Sequence, residues 1–148
     1  MFAPYQALLS ALAEEVGLEA SSLIASQEIV IDDLPISLLL EGEGEQAELR
    51  LSCQLGVPGK SRWTMDMRTM LQANHLWTGT GGATLGMLES GMVSLSVRRL
   101  LSELNADRLA VLLAKIADIG LAWQDFIAQD QTLPMLPEFF HDALHVRI

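Results

Sequence analysis

Trp63–Leu88 reads WTMDMRTMLQANHLWTGTGGATLGML, and in these residues the chain passes from a helical pattern to a strand pattern through a run of glycines. At about 100° per residue, Trp63, Met67, Met70, Leu71, Asn74 and Trp77 fall on one helical stripe. Met65, Ala73 and Leu76 fall roughly opposite, with Arg68, Gln72 and His75 between. A helix lying on one core needs only one apolar stripe. Two stripes predict a helix held between its own sheet and a second subunit, with methionines adapting to the contact. Beyond Gly79-Thr80-Gly81-Gly82, residues Ala83–Leu88 read as a strand.

Outward from that stretch, Glu89-Ser90-Gly91 turns the chain and Met92–Arg98 returns as a strand. There Val93, Leu95 and Val97 alternate with Ser94, Ser96 and Arg98. A long helix follows, capped by Asn105 and running to about Gln129, with Leu109, Leu112, Leu113, Ile116, Gly120, Trp123 and Ile127 on one face. On the other side of the stretch, Ala47, Leu49, Leu51, Cys53 and Leu55 alternate with polar residues, as in a strand with one buried and one wet face. Glu28–Ile31 and Ile36–Leu40 read as two further strands separated by Asp32-Asp33-Leu34-Pro35. A Ser-rich connection (Ser21, Ser22, Ser26) precedes them. Before it, Tyr5, Leu8, Leu9, Leu12 and Val16 form the stripe of a first helix, opened by Pro4 and closed by Gly17.

The expected order is therefore α-β-β-β-α-β-β-α. Strands joined by short turns pair antiparallel, so the fold class is α+β: a largely antiparallel, twisted sheet with three helices. One domain is expected over residues 1–129, followed by a C-terminal tail over 130–148.

Composition narrows the function. Half of the 148 residues are hydrophobic, and mean hydropathy is +0.30, a surplus that suits an exposed binding surface or an oligomer interface. No apolar run reaches the ~20 residues of a membrane span, and Glu14 and Glu15 make the N-terminus a poor signal peptide, so a soluble protein without membrane insertion is expected. A formal charge of -10 repels phosphate backbones and argues against nucleic-acid binding. The lone Cys53 permits neither a disulfide framework nor a cysteine zinc cluster, fits a reducing cytoplasm, and reads as a small core residue.

The chemistry-bearing patterns fail on inspection. A phosphate loop needs a strand before its glycines and a helix after them, whereas GTGGATLG has the reverse order and lacks a GK[ST] ending. Gly79, Gly81 and Gly82 read instead as a tight reversal needing positive φ or close backbone approach. His141 and His145 have a metal-compatible spacing without an HExxH pattern or a third ligand. No serine sits in a GxSxG elbow. Neither catalytic set, cofactor nor metal is expected.

Met70–Leu88, MLQANHLWTGTGGATLGML, resembles the Tir-chaperone (CesT/SycE-type, class I) family of type III secretion chaperones. The matching positions are Ala73, Asn74, Trp77, Gly79, Gly81, Gly82, Ala83, Thr84, Leu85 and Gly86. The resemblance implies a cytoplasmic, non-enzymatic homodimer. Such a protein binds the N-terminal segment of one or more secreted effectors in extended form and delivers it to the secretion ATPase. It further implies a dimer interface on the second helix, here Trp63, Met67, Met70, Leu71, Asn74 and Trp77. The client would lie in apolar grooves of the first helix and sheet, at Leu8, Leu12, Ile29, Ile31, Ile36, Leu38 and Leu40. A chaperone-like protein that sequesters a transcription regulator is the competing expectation, and a small ligand-binding domain a third.

Overall fold

The computed structural model describes residues 2–129. The tail from Asp130, with His141 and His145, lies outside the described residues. Four α-helices and five strands are present among the described residues: α1 (Ala3–Val16), α2 (Ala20–Ser26), β1 (Glu28–Ile31), β2 (Leu34–Glu41), β3 (Glu48–Gly56), α3 (Trp63–Asn74), β4 (Thr84–Met87), β5 (Val93–Leu100) and α4 (Ala106–Ala128). The strands form one sheet in the order β1-β2-β3-β5-β4, in which β1–β2, β2–β3 and β4–β5 pair antiparallel. The α+β expectation holds, with one helix more than the sequence reading supplied. No helix among the described residues is long and apolar enough to cross a membrane.

The described chain divides into two compact units, residues 2–52 with 98–117 and residues 53–97 with 118–129, so β3, β5 and α4 each run through both. In the first unit, α1 buries Tyr5, Leu8, Leu9 and Leu12 as the stripe predicts, leaves its last position Val16 exposed, and ends at Gly17 in the left-handed region at φ 76°. The N–H of Leu18 also turns back to the Ala13 carbonyl at 2.8 Å. Burial pushes the Tyr5 phenol up to about 12, and its hydroxyl donates to Gln27 Oε1 at 2.9 Å.

The extra helix is α2, where a Ser-rich connection was expected. Its N-cap is Glu19, whose carboxylate accepts from the Ser22 N–H and from the hydroxyls of Ser21 and Ser22, contacts that hold the carboxyl below its usual range. A single buried residue, Leu23, ties this short helix to the body. One apolar anchor leaves too little periodicity to read.

The turn between β1 and β2 also differs from expectation. Asp32 and Asp33 both have positive φ, 49° and 65°, and Ile31 pairs with Leu34. This is a two-residue hairpin turn whose twist matches that of the strands. The strand therefore resumes at Leu34, and Pro35 lies within β2 opposite Val30. One face of β1–β3 buries Ile29, Leu34, Ile36, Leu38, Leu49 and Leu51; the other leaves Val30, Pro35, Ser37 and Leu39 exposed.

In the second unit, Cys53 and Leu55 of β3 are buried with Ala73, Leu85, Val93, Leu95, Trp123 and Phe126. Burial pushes the Cys53 thiol up to about 11, which suits a core residue. Trp123 and Phe126 meet edge to face at 5.3 Å, and Trp123 Nε1 donates to the Gly79 carbonyl at 3.0 Å.

An aspartate pair is a strained choice for two left-handed positions, which favour Asn-Gly. Asp32→Asn combined with Asp33→Gly is expected to raise unfolding free energy by roughly 0.5–1 kcal/mol, read as a higher urea midpoint at unchanged m.

Candidate functional site

The Trp63–Leu88 stretch belongs wholly to the second unit. Its helix α3 buries Asp66, Thr69, Met70 and Ala73, spaced i, i+3, i+4 and i+7. Trp63, Met67 and Leu71 are exposed beside that arc, together with Leu76 and Trp77 past the helix end; Leu71 is 70% accessible and Leu76 61%. The apolar stripe read from the sequence straddles the boundary between these two arcs. Met70, at 6% accessibility, belongs to the chain's own core, and so does Ala73, which the sequence reading set opposite it. Met65 and Leu76, which the sequence reading placed on the face opposite the subunit contact, are exposed instead.

The displacement has a physical cause. Two of the four buried positions on α3 are polar, and each has a local hydrogen-bond partner, while the buried Asp66 Oδ2 is left without one. Thr69 Oγ1 donates to the Met65 carbonyl at 3.0 Å. Asp66 Oδ1 accepts from Arg62 Nη2 at 3.1 Å. Arg62, itself buried, also donates through Nη1 to the Gln129 carbonyl and stacks 5.4 Å from the centre of the Phe126 ring. Sequence reasoning missed this pair; the only signal was an Arg–Asp spacing of four across the helix start.

The helix stops at Asn74, earlier than the stripe implied. Leu76 and Trp77 follow with φ 51° and 54°, positions that cost a bulky side chain about 1–2 kcal/mol each. Asn74 explains the reversal. Its amide donates to the Leu85 carbonyl at 2.8 Å, and its Oδ1 accepts from the Leu85 N–H at 2.8 Å. The side chain thus imitates one residue of a neighbouring strand along β4, which stands at one edge of the sheet. Gly79 is buried and accepts from Trp123, Gly81 and Gly82 have φ 61° and 99°, and Ala83 and Leu85 enter the core. The resembling positions are thus one connected device for turning α3 into β4. Asn74 acts inside the chain rather than offering its amide to a partner.

The positions expected to line a client groove are mostly interior to the first unit. Leu12, Ile36 and Leu38 are fully buried, Ile31 and Leu40 are half-buried, and Leu8 and Ile29 reach surface grooves. One groove, about 410 Å³, runs between Phe2, Pro4 and Leu8 of the α1 end and Leu101 and Leu104. The second, about 280 Å³, lies between Leu18 and Leu23 on one side and Ile29 and Val30 of β1 on the other. Strand β1 stands at the sheet edge, beside the second groove. Among the described residues no group of His, Cys, Asp and Glu is placed to hold a metal ion.

A model of the Tir chaperone protein (CesT) family matches residues 7–119. The chain belongs to that family. No curated protein matches it by sequence. Solved structures do match the fold. A chain of the ExsC–ExsE complex is 24% identical with a TM-score of 0.68, covering 86% of this chain and 96% of that one. A chain of the HopA1–SchA chaperone–effector complex is 18% identical with a TM-score of 0.67, covering 82% and 94%. The Yersinia pestis type III secretion chaperone SycH, solved with a stable fragment of YscM2, is 20% identical with a TM-score of 0.60, covering 79% and 97%. This chain thus shares its fold with these structures over nearly their whole length.

Burial raises the Asp66 carboxyl above its ordinary range, against the lowering effect of the Arg62 guanidinium. The folded state therefore binds a proton there that the unfolded state has already released, and stability falls as pH rises through that interval. Asp66→Asn is expected to remove this part of the slope. Urea denaturation as a function of pH checks it: the wild type should lose stability relative to the variant as pH rises above the ordinary carboxylate value. Parallel curves would show that burial of Asp66 costs nothing.

Proposed function

We propose that this chain is a homodimeric type III secretion chaperone that binds the N-terminal segment of one or more effectors in the cytoplasm. It keeps that segment soluble and non-globular, and delivers it to the secretion ATPase. Membership of the CesT family is the observation that carries this reading. The complexes of the similar structures support it, since HopA1–SchA is described as a chaperone–effector complex and SycH as a type III secretion chaperone.

The exposed side of α3 is the proposed dimer surface, formed by Trp63, Met67, Leu71 and Trp77. The strained backbone at Leu76 and Trp77 adds weight. Bulky apolar side chains held in left-handed conformations and turned to water cost the monomer twice, and burial against a second copy offsets both costs. Met70 and Asn74 support this surface from beneath. In a two-fold dimer each contact occurs twice. Leu71→Glu removes roughly 1.5–3 kcal/mol of burial per protomer and adds carboxylate desolvation. It is expected to give a folded monomer by light scattering, with far-UV circular dichroism unchanged. An intact dimer would place the interface elsewhere.

The client is proposed to lie extended along the Phe2–Leu104 and Leu18–Val30 grooves, pairing with the edge of β1. The β4 edge is less suitable, because Asn74 already occupies the backbone groups of Leu85. Many modest apolar contacts over a long surface offset the cost of ordering such a segment. Val30, 58% exposed, can be changed without disturbing the core. Val30→Asp with Phe2→Asp is expected to weaken retention of a co-expressed effector segment at least tenfold (about 1.4 kcal/mol). Full retention would move the client off these grooves. Recovery of a transcription regulator instead of a secreted protein from the native cytoplasm would favour the regulatory reading.

A further inference from the structure

The chain has nine Lys and Arg residues against nineteen acids, yet three of its cations converge on one groove. Arg108, Val111, Leu112 and Lys115 are spaced i, i+3, i+4 and i+7 and make one face of α4. Arg99 at the end of β5 lines the same groove with Glu103 and Leu104, and this open groove has a volume of about 500 Å³. Three positive charges against one carboxylate leave the lining at +2 on a chain of -10. Val111 is 70% exposed in the midst of them.

These cations differ from Arg50, Arg62 and Arg98, each of which has a carboxylate partner. Arg50 and Arg98 pair with Glu41 and Glu48, and Arg62 pairs with Asp66. Arg99 gives an N–H to the Arg98 carbonyl at 2.8 Å, and Arg108 gives one to the Glu103 carbonyl at 2.9 Å. Such contacts orient a guanidinium without neutralising it. Among the described residues no carboxylate lies within ion-pair distance of Arg99, Arg108 or Lys115.

We propose that this groove docks an acidic peptide segment of a partner protein, with carboxylates on Arg99, Arg108 and Lys115 and an apolar side chain on Val111 and Leu112. The Debye length at physiological salt is about 8 Å, so the acidic surface elsewhere is largely screened from a ligand seated here. Oriented guanidinium groups favour carboxylates in a paired, planar geometry. The apolar strip selects a peptide over a free anion, since a hydrated phosphate gains nothing from valine and leucine. Leu104 also lines the Phe2–Leu8 groove, so the two grooves adjoin. The proposal does not depend on the chaperone reading, because its probe is no effector.

The probe is a fluorescein-labelled nonapeptide of Asp and Glu residues flanking two leucines, beside an analogue with Asn and Gln in their place. Fluorescence anisotropy is read with the full-length protein at physiological salt. The acidic peptide is expected to bind, and its analogue at least tenfold more weakly. Arg99→Glu with Lys115→Glu, and separately Val111→Asp, should each weaken binding at least tenfold with circular dichroism and sizing profile unchanged. Lys60→Glu, an exposed charge change outside the groove, should leave it intact. The proposal is overturned if the acidic peptide does not bind up to about 1 mM, an affinity near 4 kcal/mol. It is equally overturned if the analogue binds as well, if Lys60→Glu weakens binding as much as the groove variants, or if inorganic phosphate displaces the peptide at equal concentration.

Discussion

The amide of Asn74, set against both backbone groups of Leu85, is the contact on which the character of the second unit depends. A side-chain amide carries an acceptor oxygen beside an NH2 donor group, spaced as in a peptide group, so it can stand in for a strand neighbour. By doing so it ends α3, fixes where β4 begins and closes that backbone position to further pairing. The geometry leaves few ways to connect the two elements. The intervening residues must reverse the chain in a handful of steps, which is why Leu76 and Trp77 take left-handed conformations and glycines follow. Gly79 then lies deep enough for its carbonyl to meet the Trp123 indole. One hydrogen-bonded pair thus sets both the buried turn and the outward display of two large apolar side chains.

That display was legible in the sequence only in part. The glycine run, its wrong order for a phosphate loop and the two-sided apolar helix are all visible in Trp63–Leu88. The orientation of the helix was not, because hydrophobicity was a poor guide to its buried arc. Asp66 and Thr69 lie inside, and their partners, a guanidinium four residues earlier and a carbonyl of the preceding turn, are not distinguished by periodicity. A reading by apolar count therefore rotates the helix toward Trp63, Met67 and Leu71. The fold class survives this error because strands announce themselves independently, through strict alternation such as Leu49, Leu51, Cys53 and Leu55.

The two remaining differences arise from short-range chemistry. Helix α2 depends on a carboxylate cap over two serines and on Leu23 alone. Its residues have as much affinity for a loop as for a helix. At Asp32-Asp33 the same residues could break a strand or turn a hairpin, and only the pairing of Ile31 with Leu34 decides between them. The client positions show a related limit. An apolar face of a strand is read equally well as core or as groove, and in the first unit Leu12, Ile36 and Leu38 are consumed by the core. What remains for a partner is the periphery: the start of α1, the α2–β1 groove and the outer residues Val30 and Leu39.

Charge and hydrophobicity are distributed to match. A chain half hydrophobic in composition needs a repulsive field to stay monodisperse while offering apolar grooves, and a charge of -10 supplies one. The same field would discourage any acidic partner unless cations were gathered and left uncompensated in one place. Arg50 and Arg98 are drawn into the Glu41–Glu48 network, where they neutralise acids along the strands. Arg99, the very next residue after Arg98, faces the α4 groove with no carboxylate of its own. Alternation along β5 thus sends two adjacent arginines to different tasks, one balancing charge within the chain and one leaving charge available outside it.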